Sequence, residues 1–402
     1  MFDRRELLRR GLALGLAPAL LPLAAGAPLA EAEPPQVRRR VKLGKTGLEL
    51  SDIGFGSSSL SGDEALVQHA LARGISYFDT AESYQWGSSE ETIGRALTGR
   101  RDDVLLASKQ SAGARAKRAE LFETLEGSLR RLHTDHIDVY FNHAVNDPAR
   151  LRNQEWYEFA SRAKEQGKIR FTGMSGHGGR LVECLDLAVD GGLVDVVLVA
   201  FNFGQDPAFY QRFTGSFDFV ARQPELPRVL AKARAAGIGV VAMKTLRGAR
   251  LNDMRPYEGA GATFAQAALR WILATGLADA LIVTMKSPEH VDEYLGASGW
   301  TAPHPADAAL LRRYARRTER TQCRYGCGDC ANACPAGVSI PDVLRARMYA
   351  FDYEEPGLAR TALAEVGGAA ACLTCDGTPC ASACPHGVAI PELTRQVASE
   401  TA

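Results

Sequence analysis

The sequence predicts an α/β chain: a (β/α)8 TIM barrel followed by a small, mainly α-helical domain rich in cysteine. Three features of the chain point there. Strand-then-helix patterns alternate eight times over about 260 residues. The strand patterns are short continuous apolar runs, as expected of parallel strands buried on both faces. Eight of the nine cysteines lie in the last eighty residues, in two quartets that each end in Cys-Pro.

Taken in order, residues 41–50 read as a short hairpin turning at Lys45-Thr46-Gly47. The first four units pair Ile53–Gly56 with Asp63–Arg73, Ile75–Asp79 with Ser89–Leu97, Val104–Lys109 with Glu120–Leu132, and Ile137–His143 with Gln154–Gln166. The next four pair Ile169–Ser175 with Arg180–Val189, Val194–Asn202 with Pro227–Ala236, Val240–Lys244 with Phe264–Ala274, and Ala280–Met285 with Glu289–Leu295. An open doubly wound sheet is the alternative. It calls for a G-x-G-x-x-G turn after the first strand, which Gly54-Phe55-Gly56-Ser57-Ser58-Ser59 does not complete. Residues 303–308 break the pattern, and Leu310–Arg320 reads as a basic helix. It joins the barrel, residues 41–308, to the C-terminal domain, residues 309–402.

Residues 1–32 read as a leader rather than as part of the fold. A basic start around Arg4-Arg5 is followed by Leu7-Leu8, an apolar stretch rich in Ala and Leu, and A-x-A sequences at Ala25-Gly26-Ala27 and Ala30-Glu31-Ala32. The paired arginines resemble a twin-arginine signal, which implies the export machinery of that route and a periplasmic or exported protein. Retention as an uncleaved membrane anchor is the other outcome. Residues 33–40 read as a linker. Lys+Arg and Asp+Glu both number 47, so the charge balance favours neither nucleic acid nor an anionic membrane. Cys184, inside a helical pattern, reads as a core thiol.

The quartets are Cys323, Cys327, Cys330, Cys334 and Cys372, Cys375, Cys380, Cys384. Spacing that closes in C-x3-C-P is how a chain wraps thiolates around a [4Fe–4S] cube, so two clusters are expected. Disulfides and zinc are the alternatives, and neither accounts for the proline after each fourth cysteine. The two quartets belong to an internal repeat, Cys334-Pro-Ala-Gly-Val-Ser-Ile-Pro-Asp and Cys384-Pro-His-Gly-Val-Ala-Ile-Pro-Glu. In each copy Ile-Pro-acid opens a helix. The region resembles the helical two-cluster ferredoxin domain. That resemblance implies exchanged fourth ligands: Cys323, Cys327, Cys330 and Cys384 on one cluster, Cys372, Cys375, Cys380 and Cys334 on the other. The C-x3-C opening of the first quartet and the C-x4-C step of the second depart from the usual spacing. They leave a labile or three-iron cluster open at either site.

Four polar residues fall at the C-terminal ends of barrel strands or in the loops after them, where such barrels place their chemistry: Asp79, Tyr84, Lys109 and His143. The segments LGKTGLELSDIGFG, FDTAESY, GSSEETIGRAL, LLASK and IDVYFNH resemble the aldo-keto reductase family over roughly residues 40–300. The resemblance implies that these four form the family's catalytic tetrad in carbonyl reduction. Tyr84 would be the general acid, Lys109 would lower its pKa, Asp79 would hold Lys109, and His143 would orient the carbonyl.

It also implies NADP(H) or NAD(H), with Ser175, Lys286, Ser287 and Glu293 as contacts; Lys286 would meet a 2′-phosphate. Four family positions depart from the pattern. Gly176 follows Ser175, Leu198 stands where a Gln is expected, Met243 where a stacking aromatic is expected, and Tyr294 where an Asn is expected. Trp86 is a wall of the substrate pocket or a packing residue. His177 is a phosphate or substrate contact or a solvated loop residue. The Gly-rich stretch Gly248–Gly261 is a candidate cover.

Nicotinamide passes an electron pair, whereas each cluster passes one electron. Three functions follow as expectations. The first is an exported reductase of a small carbonyl substrate whose clusters exchange electrons with a redox protein or quinone pool. The second is a conventional carbonyl reductase with structural clusters. The third is an electron carrier or docking protein on an inactive barrel.

Overall fold

The computed structural model describes residues 34–402 except 179, 204–222, 224, 247–257, 259–261, 303, 319–322, 324–328, 348–349, 352–358, 361–362, 365, 386 and 402. The expected leader, Cys327 and most of the candidate cover lie outside the described residues.

A hairpin of β1 (Arg40–Lys42) and β2 (Glu49–Ser51) precedes the barrel. Eight parallel strands follow: β3 (Ile53–Gly56), β4 (Tyr77–Asp79), β5 (Leu105–Gln110), β6 (Ile137–Asn142), β7 (Ile169–Gly176), β8 (Val196–Ala200), β9 (Gly239–Met243) and β10 (Ala280–Thr284). They close in chain order, with β10 pairing β3. The helices that follow successive strands are α1 (Glu64–Ala72), α2 (Ser88–Ala96), α3 (Arg118–Arg131), α4 (Gln154–Glu165), α5 (Leu181–Asp190), α6 (Leu226–Ala235), α7 (Phe264–Thr275) and α8 (Pro288–Leu295). The expected eightfold alternation is present, with ends within three residues of those read from the sequence.

Among the described residues, two large apolar cores lie in the barrel. One lies between strands and helices and includes Phe78, Leu106, Tyr140, Phe159 and Cys184. Cys184 is fully buried, and burial pushes its thiol up to about 11, as suits an inert core residue. The other fills the barrel interior. There Leu43, Leu48 and Leu50 of the hairpin meet Tyr77, Phe141, Val196, Leu198 and Ile282. The hairpin therefore plugs one end of the barrel. Large side chains are seated against glycines: a Cβ on Gly173 would lie 2.6 Å from the Phe141 ring, and one on Gly54 2.6 Å from the Tyr77 ring.

The next helix corrects the sequence expectation. Residues 303–308 were expected to break the pattern before a helix at Leu310. Helix α9 instead runs Pro305–Thr318, because a proline fits a first helical turn where its missing N–H has no helical partner. Its Leu310 and Leu311 pack with Phe264, Ala267 and Ala268 of α7.

In the C-terminal domain α10 (Ile340–Arg347) packs against α12 (Ile390–Thr401), with the short α11 (Pro379–Ser382) between them in sequence. Val343, Leu344, Leu393 and Val397 are in its core. The sequence repeat is a structural repeat. Gly337 donates to Cys334 O at 3.1 Å and Gly387 to Cys384 O at 3.3 Å. Both glycines are left-handed, at φ 65° and 64°, a conformation that explains the glycine in each copy.

Helix α2 tests the packing. A Cβ on Gly94 would lie 2.5 Å from Arg131 O and 2.6 Å from Leu132 C, both backbone atoms. Gly94→Ala is expected to destabilise the fold by about 1–3 kcal/mol, as overpacking does. An unchanged urea midpoint would show that α2 does not sit this close to the end of α3.

Candidate active site and cysteine centre

Three of the four strand-end candidates meet in one hydrogen-bonded set. Lys109 Nζ donates to Asp79 Oδ1 at 2.6 Å, to Thr80 O at 2.5 Å and to Tyr84 Oη at 3.4 Å. The same ammonium lies 4.7 Å from the Tyr84 ring centroid. The fourth, His143, stands edge-on to Tyr84 with ring centroids 5.7 Å apart. Asp79 and Lys109 are buried, whereas Tyr84 and His143 are half-buried. A substrate can thus reach the phenol and imidazole but not the ion pair behind them. Burial pulls the Lys109 ammonium down, but the Asp79 charge and Tyr84 outweigh it and hold the group above the ordinary lysine range.

Strand register explains the meeting. Asp79 pairs with Ala107 on the adjacent strand β5, and Lys109 lies two residues on, so it shares the face of Ala107. The polar groups around this face were not visible in the sequence. Ser89 Oγ lies 2.7 Å from Ser57 Oγ and 2.9 Å from Thr80 Oγ1, and Ser57 Oγ donates to Asp79 O at 2.8 Å. Buried Glu90 accepts from Ser108 Oγ at 2.5 Å and from Arg131 Nε at 2.8 Å, tying α2 to β5 and α3. The segment GSSEETIGRAL contains Ser89 and Glu90, but nothing in its pattern reveals their partners.

His143 is lowered to about 3, first by burial and then by the charges of Lys109, His177, Arg150 and Lys244. At neutral pH it is a neutral imidazole with one N–H to donate. His177 is half-buried and close enough to act on His143, which places it beside the tetrad. Trp86 is fully exposed, so its packing reading is excluded. It and Gln85 both have left-handed backbones, and Gln85 Nε2 donates to Ser58 O at 3.0 Å.

The expected cofactor contacts lie on two parts of the same barrel face. Ser175, buried in β7, accepts from Ala144 N at 2.9 Å. Lys286 is exposed just before α8, and Ser287 caps that helix by accepting from His290 N. Glu293 lies one residue before Tyr294 on α8. Tyr294 is buried, its ring stacked on His290 at 5.5 Å. Leu198 is fully buried in the barrel interior, and a Cβ on Gly176 would lie 2.6 Å from Leu181 Cδ1. At the expected ring side, then, Leu198 and Gly176 bring no polar side chain, and Ser175 does.

In the C-terminal domain, Cys334 joins Cys372, Cys375 and Cys380 around one partly open hollow. Thr394 and Arg395 also line it. Arg395 Nη2 donates to Cys375 O at 2.7 Å, and Val338 N to Cys334 Sγ at 3.4 Å. Burial raises the Cys372 and Cys380 thiols, and Cys334 and Cys375 add to the effect on both. Among the described residues no group of three or more His, Cys, Asp or Glu is gathered tightly enough to hold a metal ion. A four-iron cube differs from a single ion in needing thiolates spread around a hollow. Of the other expected set, Cys323, Cys330 and Cys384 are described and Cys327 is not.

The profile of the Aldo/keto reductase family matches residues 47–257. The chain is 30% identical over 257 residues to the uncharacterized oxidoreductase YrpG of Bacillus subtilis, covering 56% of this chain and 72% of that protein. It is 34% identical over 152 residues to the uncharacterized oxidoreductase YqkF of the same organism, covering 34% of this chain and 48% of the relative. The chain thus spans about half the length of the first curated relatives it matches. Among solved structures, an aldo-keto reductase from Bacillus halodurans superposes with a TM-score of 0.55 at 23% identity, over 68% of this chain and 95% of that one. An aldo/keto reductase from Klebsiella pneumoniae in complex with NADP and acetate does so with 0.53 at 26%, over 69% and 96%.

The depressed His143 has a consequence for stability. Between about 3 and the ordinary 6.5, the folded chain binds fewer protons at this site than the unfolded chain. Stability from this group is present above pH 6.5 and is lost as pH falls toward 3. His143→Gln is expected to lose less Tm than the parent on going from about pH 7 to about pH 5. Equal losses in both proteins would show that His143 titrates normally.

Proposed function

Because the chain belongs to the aldo/keto reductase family, we propose that it is an oxidoreductase that interconverts a small carbonyl compound and its alcohol at Asp79, Tyr84, Lys109 and His143. The observation that carries this is the Lys109 ammonium bound to Asp79 at 2.6 Å with the Tyr84 hydroxyl 3.4 Å away.

The barrel residues fit a nicotinamide dinucleotide best at its phosphate end. Lys286 offers an exposed cation beside the N-terminus of α8, with Glu293 further along that helix. Ser175 offers a polar group toward the ring end, where Leu198 and Gly176 bring no amide. When bound, the dinucleotide supplies the electron pair as a hydride. The chain's own residues do the rest. His143, neutral, donates a hydrogen bond to the carbonyl oxygen and turns it toward Tyr84. Tyr84 delivers the proton to the oxygen as negative charge develops there. Lys109 stabilises the phenolate left behind, and Asp79 keeps Lys109 charged and fixed.

We propose further that the C-terminal domain holds two [4Fe–4S] clusters with exchanged fourth ligands. The hollow shared by Cys334 and the second quartet supports one of these sites, Cys372–Cys375–Cys380–Cys334. The structural repeat supports a matching site of Cys323, Cys327, Cys330 and Cys384. When bound, such clusters supply one-electron transfer, here to or from a redox protein or quinone pool. The arginine-bearing leader favours export of the folded, loaded chain by the twin-arginine route.

Two experiments test these readings. With NADPH and an aldehyde, the anaerobically purified protein should turn over, and Tyr84→Phe should lower kcat by about 10²–10⁴-fold. Turnover that survives this substitution excludes Tyr84 as the acid. In the second, Cys334→Ser should disturb the EPR signal of the cluster held by Cys372, Cys375 and Cys380. If iron is lost only from the other cluster, the ligands are not exchanged.

A further inference from the structure

We propose that Arg150 is a positioning residue for His143, acting by gripping the turn that carries it. The inference rests on the carbonyl-reduction reading above. Strand β6 ends at Asn142, and the chain then turns through His143 and a left-handed Ala144 at φ 53°. A non-glycine residue there is strained and persists only where its surroundings hold it.

Arg150 is such a surrounding. Its Nη2 donates to His143 O at 2.8 Å and to Asn142 Oδ1 at 2.5 Å. Its Nη1 donates to Ala144 O at 3.0 Å, and its Nε to Ala112 O at 2.8 Å. Four hydrogen bonds from one planar group thus reach three consecutive residues centred on His143, together with the loop after β5. Asn142 Oδ1 also accepts from Ala112 N at 3.2 Å, so the two loops are cross-braced.

Every acceptor is a neutral oxygen. Among the described residues no carboxylate lies within ion-pair distance of this guanidinium. A half-buried cation without such a partner is a poor device for general stability. It is well suited to drawing together carbonyl oxygens that would otherwise repel. The fork geometry also explains why arginine stands here, since a lysine ammonium cannot reproduce the planar set. On its other side the turn is held by His143 N donating to Gln110 O at 2.8 Å, and by Ala144 N donating to Ser175 Oγ. With Arg150 gone, the imidazole is free to shift although none of its own ring contacts has been touched.

The test uses the full-length protein and the variants Arg150→Lys, Arg150→Met and Arg150→Ala. Both Arg150→Lys and Arg150→Met should lower kcat by about 10–100-fold, the cost of a misplaced catalytic group, with the KM for the nucleotide within about threefold of the parent. Millimolar guanidinium should restore part of the kcat of Arg150→Ala. Independently of turnover, the ¹H–¹⁵N imidazole signals of His143 should move in Arg150→Met while the far-UV spectrum stays native. Wild-type kcat in Arg150→Met, or unmoved His143 signals in that variant, overturns the inference. If the parent itself fails to reduce aldehydes, the reduction reading falls, and the His143 signals still decide whether Arg150 sets the imidazole.

Discussion

The ion pair between Asp79 and Lys109 is the interaction on which the barrel mouth depends. Both groups are buried, and removing each from water costs several kcal/mol before anything is regained. Their contact alone does not offset that. The ammonium also takes the Thr80 carbonyl and lies against Tyr84, while Ser57 donates to the Asp79 carbonyl and Ser89 bonds the Thr80 hydroxyl. Register matters as much as chemistry. A one-residue slip of β5 would turn Lys109 out of the barrel and leave Asp79 as a buried charge without its partner.

That pair lies at the level where the barrel interior changes from apolar to polar. Toward the hairpin, Leu43, Leu48, Tyr77, Phe141 and Leu198 fill the interior with aromatics seated on glycines. Toward the mouth come Lys109, Tyr84, His143, His177 and Arg150. The apolar filling reaches as far as Leu198, where a polar amide would be expected to grip a nicotinamide ring. The residues proposed to activate a carbonyl are therefore more complete than those proposed to hold a nicotinamide ring. This asymmetry is a property of the chain's own residues rather than of the fold.

Much of this was legible in the sequence, for identifiable reasons. The barrel strands announced themselves as apolar runs, and Asp79, Lys109 and His143 stood out as polar residues just where those runs stop. The hairpin was marked by Lys45-Thr46-Gly47. Proline misled at residues 303–308, because a residue that ends one helix also begins another, and α9 starts at Pro305. Trp86 beside Tyr84 could be located but not oriented; its exposure follows from two left-handed residues that no local propensity announces. Glu90, Ser57, Ser89 and Arg150 were silent because their roles lie in partners up to 41 residues away. Such pairings leave no periodic trace along a single chain.

The placement of Cys334 against the second quartet also bears on the order of folding. A hollow built within one quartet would close as soon as that short loop was made. This one needs Cys334 from one copy of the repeat and Cys380 from beyond the intervening helical stretch, so its walls come together only when both copies have packed. Neither half of the C-terminal domain presents all four of these hollow-lining thiols alone. In a chain made from its N-terminus, the hollow is among the last features to form, after the barrel residues have all been synthesised. A completed thiol hollow thus reports that both copies of the repeat have been made and that their helices have found each other.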